Sequence, residues 1–319
     1  MLYTRRDLGK VALAAGFGAR LAVAANPKPN SKINGVQIGA ITYSFRSMPG
    51  ADSDAHKVLE YCLASGISAI ELMDGPAEAF AGAPHGSGTD WESPNKWTPE
   101  QQRAAAELKK WRLSQSMDKY QQLRKLYRDA GVSIYAHKQT PTLDHSDAEW
   151  DYFFQMAAAL GASHVTTELP EDEAYLKKLG AWALKYKLRV GYHAHTQARP
   201  DLWDKALAVS EGNAINLDIG HYVAGTGESP LPLMEKHHQH IVSLHLKDRK
   251  KQGSPGGDNL PWGQGSTPIK EVLQAMRKNK WRFPASIELE YEIPAGSDAV
   301  KEVARCLAYC RSALGESHT

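Results

Sequence analysis

Ala214-Ile215-Asn216-Leu217-Asp218-Ile219-Gly220-His221, followed after 19 residues by Ile241-Val242-Ser243-Leu244-His245-Leu246-Lys247-Asp248-Arg249, is the stretch on which the fold turns. Each run is short and apolar, as a strand covered on both faces must be, and each ends in carboxylate, imidazole or ammonium groups. A charge at the end of a buried strand costs several kcal/mol, on the order of the desolvation of an ion, unless a partner or a cation meets it.

Outward from this pair the same pattern repeats. β-rich runs occur at 36–43, 68–73, 133–137, 164–168, 189–195, 214–218, 241–247 and 286–291, with starts about 36 residues apart on average. Helical stretches separate them at 52–65, 118–130, 148–160, 171–185 and 268–280, and one at 298–314 closes the chain. Glycine marks several helix-to-strand joints: Gly66-Ile67-Ser68, Gly131-Val132-Ser133 and Gly161-Ala162-Ser163. Eight β-α units predict an α/β chain folded as a single-domain (β/α)8 TIM barrel over 33–314. A doubly wound sheet is the competing reading, but no Gly-x-Gly-x-x-Gly follows an early strand. The long gap between the second and third strands, 77–116, reads as an inserted loop with a short helix over the barrel mouth, a lid.

Composition excludes several classes. The 319 residues are 42% hydrophobic and 23% charged, with 38 basic against 36 acidic side chains. A formal charge of +2 offers no basic field for nucleic acid. Mean hydropathy is −0.47, and no apolar run approaches the roughly 18 residues of a membrane span. Cys62, Cys306 and Cys310 form neither a disulfide framework nor a zinc cluster.

The amino terminus reads separately. Thr4-Arg5-Arg6-Asp7-Leu8-Gly9-Lys10, a weakly apolar run at 11–25 and its small-residue end Ala22-Val23-Ala24 have the order of a twin-arginine export signal over 1–25. Residues 26–32 are the linker. The signal carries a net +3, which leaves −1 on the rest, and the expected location is the periplasm or outside the cell. The alternative is an amphipathic amino-terminal helix, since Arg20 interrupts the apolar run.

In a barrel of this type, polar residues at the carboxyl ends of strands face the active site. Strand four ends Thr166-Thr167-Glu168, strand six at Asp218, strand seven carries His245, and strand eight reads Ile287-Glu288-Leu289-Glu290. Four such ends most simply share one divalent cation, Mn, Mg, Co or Zn. Tyr192-His193-Ala194-His195 puts two imidazoles on one face of strand five, suited to hydrogen bonding a substrate or, alternatively, to a metal. Glu71 ends strand two and Lys138 ends strand three; each can touch substrate or serve a structural ion pair.

Leu-Asp-x-Gly-His at 217–221, His-Leu-Lys-Asp-Arg at 245–249, Pro-Trp-Gly-Gln-Gly at 261–265 and Ile-Glu-Leu-Glu at 287–290 together resemble the xylose isomerase-like TIM-barrel superfamily of sugar phosphate isomerases and epimerases, over about 33–312. The resemblance implies a metal held by Glu168, Asp218, His245 and Glu288, with Glu290 as the rival for the last position. It implies a metal-dependent sugar isomerase or epimerase in which Glu168 and Glu288 exchange a proton with an enediolate. His221, Lys247 and Arg249 are then substrate-binding residues, alongside His193, His195, Glu71 and Lys138. The alternative is a lyase or dehydratase acting on a 3-keto-sugar or 3-keto-glycoside; a third is a sugar-binding barrel without turnover. The endonuclease branch is disfavoured, because no Asp-x-His follows Arg249. The expected partner is a small sugar or keto-sugar, with neither nucleic acid nor stable membrane insertion; self-association is left open by the sequence.

Overall fold

The computed structural model describes residues 28–84, 97–251, 253 and 258–315. The expected export signal at 1–25, the start of the linker, and the part of the expected lid at 85–96 lie outside these described residues. Eight parallel strands close into a barrel: β1 (Val36–Ile41), β2 (Ala69–Met73), β3 (Ser133–Lys138), β4 (His164–Glu168), β5 (Arg189–His193), β6 (Asn213–Asp218), β7 (Ile241–Leu246) and β8 (Ala285–Ile287). Each pairs with the next, and β8 returns to β1 through Ala285 opposite Ile38 and Ile287 opposite Ala40. A two-residue strand, Lys32–Ile33, folds back antiparallel on β1 at the bottom.

The strands are buried on both faces, which is why they read as apolar runs and not as alternating ones. The helices of the outer ring follow their sequence signals. Asp54 caps α1 (Ala55–Ser65) by accepting from the His56 and Lys57 amides at 2.8 and 3.2 Å. The insert after β2 contributes two helices, α2 (Asp74–Ala81) and α3 (Pro99–Arg112). Ser146 and Glu149 form a capping box on α5 (Asp147–Leu160). Gly66, Gly131 and Gly161 end α1, α4 (Asp118–Ala130) and α5 in the left-handed region, where a Cβ is costly. α6 (Glu173–Lys185) is long, whereas α7 (Asp204–Val209), α8 (Ile219–Thr226) and α9 (Leu231–His237) have one or two turns each. α10 (Ile269–Asn279) and α11 (Ala299–Ala313) complete the ring, and α10 buries the stripe Ile269, Val272, Leu273 and Met276 against the barrel.

Side chains fix where the insert lies. Arg112 of α3 reaches Glu78 of α2 through two bonds of 2.7 and 3.0 Å, and the Tyr152 hydroxyl of α5 donates to the same carboxylate at 3.0 Å. Lys109 pairs with Glu149 at 2.7 Å. α3 is therefore fastened to the outer helical layer beside α5. No helix among the described residues is long and apolar enough to cross a membrane.

Candidate active site

Sharp turns at the carboxyl end of the barrel place the chemistry. Asp218 ends β6 and is at once the N-cap of α8: its Oδ1 accepts the His221 amide at 2.7 Å. The other oxygen, Oδ2, is thereby aimed into the barrel mouth. Gly220 is required at this turn, since a Cβ there would lie 2.3 Å from Lys247 Cγ and 2.7 Å from the Lys247 carbonyl. The Asp-x-Gly-His spacing is thus a cap, a close approach to β7, and an imidazole returned to the mouth.

Ligand atoms of His193, Asp218, His245 and Glu288, all buried, lie within 4.8 Å of one another. His245 Nε2 contacts Glu71 Oε2 at 2.8 Å, and Glu71 Oε1 also accepts from Thr166 Oγ1. A ring N–H committed to a carboxylate directs the opposite nitrogen, Nδ1, toward the site, an arrangement that orients metal-binding imidazoles. Nδ1 then stands 2.8 Å from Glu288 Oε2. Asp218 Oδ2, His245 Nδ1 and Glu288 Oε2 are buried, and among the described residues their close contacts are ionic ones, with each other and with the Lys247 ammonium. Acceptors facing one another at that range require a positive charge between them. A proton can supply it: burial disfavours the imidazolium, but Glu288 and Glu71 outweigh it and raise His245 to about 10. A divalent ion can supply it as well, and two carboxylates with two imidazoles fit a borderline cation.

A third positive charge is built in. Lys247, 1% exposed, sets its Nζ 3.0 Å from Asp218 Oδ2, 2.9 Å from Glu288 Oε2 and 2.7 Å from Glu290 Oε2. Burial opposes the ammonium, but these carboxylates hold its pKa above the ordinary lysine value. Among the described residues Glu290 meets this ammonium and the His221 ring, and it stays partly exposed. His221 lies between Lys247 and the Arg249 guanidinium. Burial, then the Lys247 charge, push it down to about 2, so it is neutral. Asp248 faces away from the mouth and accepts the amides of Gly263, Gly265 and Thr267 at 2.8, 2.9 and 3.2 Å.

Glu168 stands apart from the cluster. Its side chain is 48% exposed and pairs with Lys138 Nζ at 2.9 Å and His195 Nε2 at 3.5 Å. Burial works against its charge, but Lys138 prevails and keeps the carboxyl at about 2. Glu168 in turn holds Lys138 above the ordinary lysine value, against burial. Glu71 has no exposed surface and both oxygens engaged, which makes it an orienting group for His245. His193 sits between the two regions, 4.9 Å from the His245 ring and 5.0 Å from that of His195. The structure thus brings Asp218, His245, Glu288 and His193 together, and leaves Glu168, Lys138 and His195 on the rim. Sequence reading had no signal for Asn216, Ser243 and His164 beneath the site, which look like ordinary strand residues until the barrel closes. The central place of Lys247 was equally invisible.

The comparisons agree with this architecture. The family model described as xylose isomerase-like TIM barrel matches residues 59–310. An inosose dehydratase of Clostridium botulinum is 28% identical over 137 residues, covering 37% of this chain and 45% of that protein; the match therefore spans less than half the length of this relative. Among solved structures, a sugar phosphate isomerase/epimerase from Parabacteroides distasonis superposes with a TM-score of 0.55 at 19% identity, over 86% of this chain and 95% of the other. A xylose isomerase-like TIM barrel protein from Mycobacterium smegmatis, in complex with magnesium, gives 0.57 at 15% identity over 88% and 96%. The chain belongs to the xylose isomerase-like TIM-barrel family.

Proposed function

We propose that the chain is a divalent-metal-dependent sugar isomerase or epimerase that works through an enediolate, with Glu168 and Glu288 transferring the proton. The observation that carries this reading is the buried cluster of Asp218, His245 and Glu288, whose ligand atoms face one another beside the Lys247 ammonium, with a half-exposed Glu168 across the barrel on β4. Asp218, His245 and Glu288 would hold a divalent cation there, which would supply polarisation of a sugar carbonyl and its neighbouring hydroxyl. Glu168, ionised at any working pH, accepts the proton from the carbon beside that carbonyl. Glu288 lies on β8, across the barrel, and addresses the other face; Lys247, 2.9 Å from its Oε2, is the proton donor within reach. His221, Arg249, His195 and Lys138 line the mouth above and bind sugar hydroxyls. Export by the signal at 1–25 favours a free sugar or an oxidised sugar over a sugar phosphate.

A dehydratase or lyase reading draws support from the inosose dehydratase relatives. The same proton abstraction beside a carbonyl then expels a β-substituent, and the Lys138 ammonium, 2.9 Å from Glu168, is placed to protonate it.

One experiment separates the two. The Mn-loaded protein is incubated in D2O with a panel of free ketoses and with 3-keto-glycosides. Deuterium gained beside the carbonyl without loss of mass supports the isomerase; loss of water or release of an aglycone supports the lyase. Deuterium exchange undiminished in Glu168→Gln overturns the assignment of the base.

A further inference from the structure

Beneath the site a chain of hydrogen bonds runs through the barrel. His193 Nδ1 meets Asn216 Oδ1 at 3.1 Å, Asn216 Nδ2 donates to Ser243 Oγ at 2.7 Å, and Ser243 Oγ meets His164 Nε2 at 3.0 Å. His164 Nδ1 meets Ser163 Oγ at 2.9 Å, and Ser163 Oγ donates to the Tyr135 carbonyl at 3.0 Å. The direction of this chain follows from its far end. A carbonyl only accepts, so the Ser163 hydroxyl gives its proton to Tyr135 and must accept from His164 Nδ1–H. His164 Nε2 then carries a lone pair and accepts from the Ser243 hydroxyl. Ser243, having spent its proton, accepts from the Asn216 amide nitrogen. Asn216 turns its oxygen to His193, whose Nδ1 therefore bears the hydrogen. The nitrogen left for the mouth, Nε2, is a lone pair.

That lone pair converges on three more acceptors, because a ligand atom of His193 lies within 4.8 Å of those of Asp218, His245 and Glu288. Lys247 neutralises Asp218 and Glu288, and no contact of its ammonium with His193 is found among the described residues. We propose that His193 Nε2 is a ligand of the divalent cation together with Asp218, His245 and Glu288, and that Glu168 stays outside the coordination sphere beside Lys138. The inference rests on the metal-dependent reading above. It also sharpens the metal: two imidazoles and two carboxylates select Mn, Co or Zn over Mg, which prefers an all-oxygen shell. The neighbouring group of His193, His195 and His221 carries no second site, since both nitrogens of His221 face cationic side chains.

The test counts nitrogens. The metal-free full chain is loaded with Mn, and pulsed electron paramagnetic resonance on protein labelled with 15N-histidine reports the number of coordinated imidazoles. Two are expected, falling to one in His193→Gln, with Co affinity by calorimetry at least tenfold weaker in that variant and unchanged in Glu168→Gln. One imidazole in the unmodified protein, or Co affinity that falls in Glu168→Gln and holds in His193→Gln, overturns the assignment of His193 while metal dependence stands. No Mn or Co bound by the unmodified protein overturns both. The nitrogen count needs no variant, so it decides the question even where His193→Gln fails to fold.

Discussion

The Lys247 ammonium and Glu288 Oε2 lie 2.9 Å apart inside the barrel mouth, and the same ammonium is 3.0 Å from Asp218 Oδ2. The site therefore holds an organic cation against the two carboxylates that face the proposed metal. Lys247→Met removes that charge and leaves buried carboxylates facing one another. The metal-free variant is expected to lose about 3 kcal/mol of stability, the scale for breaking a buried ion pair. Saturating Mn should restore most of the loss, read as urea midpoints with and without metal. An equal loss in both conditions would show that Lys247 acts independently of a cation.

Glu71 supports His245 from behind at 2.8 Å. Glu71→Gln keeps the shape and loses the charge that makes the imidazole a strong donor. Metal affinity is expected to fall on the order of 10- to 100-fold, the range found when a ligand's outer partner is removed. Calorimetric titration with Co checks it; an unchanged affinity would place Glu71 in the packing alone.

His137 and His164 are fully buried, and burial holds both at about 4. Their folded values lie below the unfolded value of about 6.5, so the unfolded chain takes up protons first. The stability they provide is complete above pH 6.5 and is lost as pH falls toward 4. Each accounts for about 3 kcal/mol across that window. Chemical denaturation of the metal-free protein at pH 7, 5.5 and 4.5 should show the decline, with a shallower slope in His164→Gln. A flat profile would contradict it.

Glu78 and Arg112 are 1% and 3% exposed, and theirs is the buried ion pair joining α2 to α3. Glu78→Gln removes a buried carboxylate that meets the guanidinium through two bonds, and is expected to cost about 3 kcal/mol. Hydrogen exchange should then rise first in α3, whose remaining surface is largely polar. Uniform loss of protection over the whole barrel would refute the idea that this pair fastens the insert.

The barrel was legible because its signals are local. Each strand is a run of apolar residues, and Gly66, Gly131 and Gly161 stop helices through their own backbone freedom. Asp218 and His245 announce themselves in the same way, as charged ends of buried strands. The insert was only partly legible, because whether α3 lies over the mouth or beside α5 depends on Arg112 finding Glu78, 34 positions away. The place of Lys247 among Asp218, Glu288 and Glu290 depends on strands β6, β7 and β8 meeting, and the tautomer of His193 on a carbonyl at Tyr135. Nothing in the neighbouring sequence encodes such relations.

The three backbone amides gathered by Asp248 have a mechanical meaning for the mouth. Gly265 sits so close to that carboxylate that a Cβ would fall 2.1 Å from Oδ1. The segment from Gly263 to Thr267 is therefore drawn down against the end of β7 and behaves as masonry, not as a door. The flank beside Arg249 is thus a surface of set shape, one that can select only by excluding what does not fit rather than by closing around what does.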